Sequence, residues 1–290
     1  MTAGKIDHLV LPVGNLVTAR ERLSSLGFTV APDGHHPFGT ANACIFLEDG
    51  TYLEPIAVAD RRKAGAAAKR GNVFIERDLA YRGRRGREGL SAIVVFSEDA
   101  AADHQQYVSA GISGGEPLEF GRSLKSPDGD EVEARFQLAF ASMAGAPDFF
   151  AFACQRLVSF PQDMGGLRNH ANAVTGLKEV VLTSDDAHAS SSFFEAVLRT
   201  PADEVDGGLV FRSGAGNVRV LDRAHVAHEF GLPAEPVAGG LTGKAVIFRS
   251  LDLAVTEIIL AANDVAFIRR DGRVLVSPSP GQGVLFGFEE

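Results

Sequence analysis

Two short segments near the start of the chain combine residue types that can bind a metal or move a proton: Ile6-Asp7-His8-Leu9-Val10-Leu11 and Thr51-Tyr52-Leu53-Glu54-Pro55-Ile56. Each reads as a strand with a polar side chain set among apolar ones. Alternate strand residues point to opposite faces. His8 and Val10 therefore share one face and Leu9 and Leu11 the other, while Tyr52, Glu54 and Ile56 share a face opposite Leu53. With Leu9 and Leu11 beneath a helix, His8 points into the concave side of the sheet, where Glu54 can meet it. A carboxylate among apolar neighbours is costly unless a metal, an Arg or a proton compensates it. Imidazole with carboxylate suits Zn²⁺, Mn²⁺, Fe²⁺ or Ni²⁺, and Glu54 can also serve as a general base. Two ligands hold a metal poorly. His36 offers a third, with His35 the alternative if the loop turns differently. The competing reading is that His8 and Glu54 bond each other in a polar cup while His36 caps a loop. Thr40 and Asn42 either hydrogen-bond substrate oxygens or hold the hairpin.

The elements that must position these residues recur along the chain. A strand at 6–13, a helix capped by Asn15 and ended by Gly27, and strands near 28–31, 41–48 and 51–58 give the order βαβββ. Glu48-Asp49-Gly50 reads as the hairpin turn before the last strand. The order returns with a strand at 91–97, a helix at 100–110, and strands near 118–124, 131–141 and 148–156, with a turn at Ser126-Pro127-Asp128-Gly129. It starts again at Leu177, with a helix at 187–199 and strands near 208–212 and 217–222. A fourth copy starts at Lys244, with a helix at 252–262 and strands at 265–269, 273–276 and 283–288. Repetition of this kind is a fold signal in its own right. The expected class is α+β: four βαβββ modules paired into two domains with cupped mixed sheets. The domains span 1–158 and 159–290, divided near the Pro/Gly-containing stretch from Ser159 to Gly166.

The modules resemble the vicinal oxygen chelate superfamily, which includes glyoxalase I, extradiol dioxygenases and bleomycin-resistance proteins. In the first module Asp7-His8-Leu9-Val10, the stretch Gly34-His35-His36-Pro37-Phe38-Gly39-Thr40-Ala41-Asn42 and Tyr52-Leu53-Glu54 are similar to the glyoxalase-like branch. That motif-level match covers about residues 5–58, while the module pattern covers nearly the whole chain. The resemblance implies that first and last strands of modules supply metal ligands. Module two departs from this pattern. Ala92 stands near the place of His8, and Phe149-Phe150-Ala151-Phe152-Ala153-Cys154-Gln155 carries no carboxylate, so Phe150, Phe152 and Cys154 are expected to line an apolar pocket. A symmetric four-ligand site is not expected. In module three Glu179 aligns with His8, and the last strand of module four, Val284 to Phe288, lacks a ligand. The second domain is expected to be a degenerate, structural copy.

Composition bounds the rest. From Arg61 to Arg87 there are ten Lys or Arg against only Glu76 and Asp78, so this segment is near +8 and the remainder near −17 for a net charge of −9. The basic insertion at 60–89 is either a solvated excursion or a rim that attracts anionic substrates through Arg82, Arg84, Arg85 and Arg87. The acidic balance, the absence of Trp and the three Tyr argue against nucleic acid as a partner. Apolar runs fall far short of the ~20 residues of a spanning helix, so no membrane partner is expected. The N-terminus lacks a signal-peptide pattern, and Cys44 and Cys154 read as buried thiols. A cytoplasmic protein follows. His170 is assigned to an ordered linker, and His225 and His228 to a solvated helix. No phosphate-binding glycine motif or nucleophile elbow occurs.

The expected function is a divalent-metal-dependent enzyme of lyase or isomerase type acting on a small, oxygen-rich organic substrate through an enediolate-like intermediate. His8, Glu54 and His36 would hold the metal, with Tyr52, Thr40, Asn42, Phe150, Phe152, Arg82 and Arg84 about the substrate. One alternative is a metal-free small-molecule binder acting by resistance or sequestration. A second is an extradiol-type dioxygenase, although the His-His-Glu triad it needs is not evident in either domain. A homodimer is a further expectation.

Overall fold

The computed structural model describes residues 3–125, 131–158, 165–234 and 240–290. The turn expected at Ser126–Gly129, and all but the last two residues of the expected boundary stretch, lie outside the described residues.

The first half runs β1 (Ile6–Pro12), α1 (Leu16–Ser25), β2 (Gly34–His35), β3 (Thr40–Asn42), β4 (Ile45–Phe46), β5 (Tyr52–Val58), α2 (Arg61–Lys69), α3 (Val73–Arg85), β6 (Ala92–Ser97), α4 (Ala100–Ser109), β7 (Leu118–Lys125), β8 (Glu131–Ser142) and β9 (Phe150–Arg156). The second half runs β10 (Val174–Thr183), α5 (Ser191–Leu198), β11 (Ala202–Val205), β12 (Gly208–Arg212), β13 (Asn217–Leu221), α6 (Arg223–Phe230), β14 (Thr242–Ser250), α7 (Leu253–Ala262), β15 (Ile268–Arg270), β16 (Arg273–Val276) and β17 (Leu285–Glu289). The βαβββ modules are present, and they pair one with two and three with four. β1 is antiparallel to β6 and β10 to β14 at the centre of each sheet, while each module's last strand runs parallel to its first.

The fold is therefore α+β with two mixed sheets. The first, nine-stranded, has the order β2-β3-β5-β1-β6-β9-β8-β7 with β4 branching from β5; the second, eight-stranded, has the order β11-β12-β13-β10-β14-β17-β16-β15. The first sheet curls until its edges meet: Arg122 on β7 donates to Asn42 on β3 at 3.2 Å. Residues 28–31 are not a strand. The edge hairpin is built from β2 and β3 instead, and the expected strand 41–48 breaks into β3 and β4.

Apart from α5, which follows Ser190 without a side-chain cap, the α-helices among the described residues form where an Asn or Asp can satisfy free N–H groups. Asn15, Asp60, Asn72, Asp99, Asp222 and Asp252 each accept from a backbone N–H in the first turn that follows. The basic insertion is thus two capped helices, α2 and α3. Their apolar residues Ala64, Ala67, Phe74 and Ile75 pack into one cluster with Val10, Ile56, Val94 and Phe152 from the concave face of the first sheet. In the second sheet α6 occupies the corresponding face, placing Val226 and Phe230 against Val181, Ala245 and Ile247.

The opposite faces of both sheets share a single core. Leu9, Leu11, Ile93 and Val95 belong to the same buried cluster as Val180, Val220, Phe248 and Phe286. Phe28 crosses between the halves, its ring 5.1 Å from that of Phe248. The Asp49-Gly50 turn is present, with Gly50 at a positive φ of 86°, and Asp49 Oδ2 accepts from Leu177 N at 2.8 Å on β10. No helix among the described residues is long and apolar enough to cross a membrane.

Candidate functional site

The cup of the first sheet is lined by His8, His36, Tyr52 and Glu54, together with Arg122, Cys154, Leu138 and the rings of Phe38, Phe74, Phe120, Phe136 and Phe152; its cavity is about 390 Å³, mouth included. The strand alternation read from the sequence places His8 and Glu54 together. β1 and β5 run parallel with His8 beside Tyr52 and Val10 beside Glu54. His8 Nε2 stands 3.5 Å from Glu54 Oε2, and the Tyr52 ring stacks on the His8 ring at 4.3 Å.

His36 enters from the turn between β2 and β3, where its N–H donates to Thr40 O. Gly39 lets that turn lie against the start of α2. Its φ is +98°, and a Cβ there would come within 2.7 Å of both Ala64 N and Asp60 O, a conformation and a space that favour glycine. The turn brings His36 Nε2 to 3.7 Å from Glu54 Oε1, with the ring stacked on Phe38 at 5.0 Å. His35 is exposed and does not line the cup.

A second layer fixes these three groups. Nδ1 of His8 lies 2.7 Å from Asp7 Oδ2, and Asp7 is paired in turn with Arg156 at 2.7 Å. Nδ1 of His36 lies 2.9 Å from Thr40 Oγ1. Asn42 Nδ2 donates to Glu54 Oε1 at 2.5 Å. Thr40 and Asn42, expected to touch substrate or hold the hairpin, thus bind the site's own histidine and carboxylate.

Burial raises the Glu54 carboxyl, but His8, His36 and the Asn42 donor outweigh it and hold its pKa at about 2. Burial disfavours the charged form of His8, yet Asp7 and Glu54 together raise its pKa. Burial dominates at His36, aided by Arg122, and lowers its pKa to about 4 despite Glu54. Asp7 is buried too, but His8 and Arg156 hold its pKa below the usual value.

Two features escaped the sequence reading. A β-bulge between Ile6 and His8 breaks the alternation and lets Asp7 reach His8. Such an extra residue re-aims its neighbours, and an Asp preceding a His was its one visible signal. Arg156 and Arg122 arrive from module two, at separations no local pattern spans. The set of two histidines and one carboxylate that meets in the first cup, His8, His36 and Glu54, is the one the sequence offered for a metal.

Other expected contacts are not brought to the cup. Arg82 donates to Asp78 at 2.8 Å and to the carbonyls of Val13 and Ile56. Arg84 is held by Asp148 at 2.5 Å and by Pro147 O. These guanidiniums fasten α3 to the sheet. Phe152 lines the cup, with its ring edge-on to His8 at 5.8 Å, while Phe150 belongs to the same apolar cluster under Arg77 but is not among the lining residues. Both cysteines are free and buried. In the second sheet the matching position, Glu179, pairs with Arg219 at 3.1 Å. Arg219 and Arg273 both pair with Glu229 of α6, so that face is filled by the chain's own helix and ion pairs.

A family profile described as a glyoxalase-like domain matches residues 6–198, from β1 through both halves of the cup and into the third module. The chain belongs to the glyoxalase-like domain family. No curated protein matches the sequence. Among solved structures, a hypothetical protein from Staphylococcus aureus is 14% identical, with 99% of each chain covered and a TM-score of 0.68. A mutant of 4-hydroxymandelate synthase from Streptomyces coelicolor is 15% identical over 99% of this chain and 92% of that one, with a TM-score of 0.61. A xylose isomerase-like TIM barrel/4-hydroxyphenylpyruvate dioxygenase fusion protein is 16% identical over 99% of this chain and 48% of that one, with a TM-score of 0.52. At these identities the likeness is one of fold.

The residues offer a metal a suitable donor set. With Nδ1–H of each imidazole given to Asp7 or Thr40, each Nε2 keeps its lone pair toward the same carboxylate. The approaches of 3.5 and 3.7 Å are too long for hydrogen bonds. They lie near the separation of about 3.4 Å between two ligands bound at about 2.1 Å to one tetrahedral ion. Glu54 lies between the two rings, and among the described residues no three His, Cys, Asp or Glu donors yet stand in an arrangement that could hold a metal ion as it is. The donor types fit the group.

Proposed function

We propose that this glyoxalase-like protein is a divalent-metal-dependent enzyme acting on a small, oxygen-bearing organic substrate in the cup of the first sheet. The observation that carries the reading is the pair of buried imidazoles. Each has Nδ1 committed to an outer partner, and each presents Nε2 to Glu54. His8, His36 and Glu54 would hold the ion, with Asp7, Thr40 and Asn42 orienting them. When bound, the ion supplies Lewis acidity toward a substrate oxygen.

The chain's own groups do the rest. The phenylalanine walls exclude water and hold the apolar part of the substrate. Tyr52, stacked on His8, restrains the ring and forms part of the floor. Glu54, held ionised at the base of the cup, is the group placed to accept a proton from substrate carbon or oxygen if it leaves the ion, which suits lyase or isomerase chemistry.

One observation favours a second reading. A two-histidine, one-carboxylate set with open positions is the composition of non-haem Fe(II) oxygenases, so ring-cleaving or other dioxygenase chemistry is the competing activity. Dependence of turnover on O₂ separates the two.

Elemental analysis of purified protein after reconstitution tests the shared claim. About one equivalent of transition metal per chain, lost in Glu54→Gln with the fold retained by circular dichroism, supports it. A normal metal content in Glu54→Gln, or no metal in the wild type, overturns it and leaves the metal-free binder.

A further inference from the structure

The wall of the cup carries a guanidinium whose bonding capacity is largely unused. Arg122 lines the same cavity as His8 and Glu54. Its Nη1 donates to Asn42 Oδ1 at 3.2 Å, and its plane lies over the Phe136 ring at 5.7 Å. Its Nε is buried with no hydrogen-bond partner. Among the described residues no carboxylate lies within ion-pair distance of it.

The other charges about the cup are matched differently. Asp7 is taken by Arg156 and His8, and Glu54 by His8, His36 and Asn42. Arg77, Arg82 and Arg84 are directed to Gly114 O, to Asp78 and to Asp148. Arg122 is the cation left facing the cavity. A guanidinium binds carboxylates through paired N–H groups, and an unpaired donor in a closed apolar site is costly. The rest of the wall is aromatic: Phe38, Phe74, Phe120, Phe136 and Phe152.

We infer that the substrate is a small monocarboxylate bearing one apolar ring, and that Arg122 is the residue that selects its carboxylate. The inference rests on the reading that the cup is the substrate site. It assigns the anion-recognising role expected of the basic insertion to a strand residue of the second module instead. The carboxylate lies on Arg122 and the ring lies between Phe120 and Phe152, which turns the substituents next to the carboxylate toward the His8–Glu54 floor. Because Arg122 also holds Asn42, and Asn42 holds Glu54, filling the guanidinium reports directly to the carboxylate at the floor.

The test is isothermal titration of the purified full chain, before and after loading with a divalent ion, using benzoate and phenylacetate against their neutral amides, with acetate as the ring-free control. The wild type should bind each ring acid about tenfold or more tightly than its amide, the strength of a charge-assisted bond, and acetate weakly. Arg122→Met should reduce acid and amide to equal affinity, and Arg122→Lys should keep part of the preference. Unfolding midpoints show that each variant is folded. Equal binding of acid and amide by the wild type, no binding of either acid, or equal weakening of both ligands in Arg122→Met overturns the assignment. The two claims fail separately: acid preference without metal uptake sinks only the metal reading, whereas metal uptake without acid preference sinks only the role of Arg122.

Discussion

Oδ2 of Asp7 lies 2.7 Å from Nδ1 of His8, so a buried carboxylate one residue before the histidine decides which ring nitrogen faces the cup. The bulge in β1 makes this possible, and Arg156 from the end of β9 keeps Asp7 ionised. The pair has the form of a ligand histidine with its outer carboxylate.

Asp7→Asn keeps the volume and removes the charge. Affinity for a divalent ion should fall by about 10–100-fold, as for other lost outer-layer partners of ligand histidines. Competition titration against a chelator, on protein shown to be folded, measures it. An unchanged affinity would mean that Asp7 merely closes the ion pair with Arg156.

Phe28 joins the halves by packing its ring against Phe248, Phe286 and Phe288. Phe28→Ala should cost about 3–5 kcal/mol, as large aromatic truncations in cores do. Since both sheets share one buried cluster, the loss should appear as one cooperative denaturant transition moved to lower concentration. Two separate transitions, with one unmoved, would show that the halves fold independently.

His170 clips the same junction. Its Nδ1 accepts from Thr29 N at 3.1 Å, and its Nε2 meets Phe46 O at 3.0 Å, which fixes the neutral ring with its proton on Nε2. Burial lowers its pKa from 6.5 in spite of the Phe46 carbonyl. The unfolded chain therefore takes up the proton first, and stability contributed here is whole above pH 6.5 and declines as pH falls through and below it. Denaturation midpoints between pH 7.5 and 5 should fall more steeply in the wild type than in His170→Asn. Parallel profiles would remove the linkage.

Much of this was legible in the sequence, for physical reasons. Period-two alternation placed His8 and Glu54 on one face, and repeated βαβββ order gave two paired-module sheets. The glyoxalase-like motifs from Asp7 to Glu54 pointed to the family. What was hidden depended on departures from regularity or on distance along the chain. The bulge at Asp7 defeats alternation, and Arg122 and Arg156 reach the site only once the sheet has curled. The insertion read as a solvated excursion or an anion-attracting rim because its arginines dominate the composition. Its caps, Asp60 and Asn72, and the apolar residues Ala64, Ala67 and Phe74 were the signal for two helices packed on the concave face. The second cup read as degenerate because Glu179 stands at the place of His8, and the ion pairs that fill it join residues far apart in sequence.

The most direct test of the central claim is X-ray absorption spectroscopy of the metal-stripped chain loaded with one equivalent of Co²⁺. His8, His36 and Glu54 as the holders of the ion predict a first shell of nitrogen and oxygen with the outer-shell scattering of two imidazoles, reduced to one in His36→Ala. A spectrum with no imidazole scattering, or one unchanged by His36→Ala, would contradict the account.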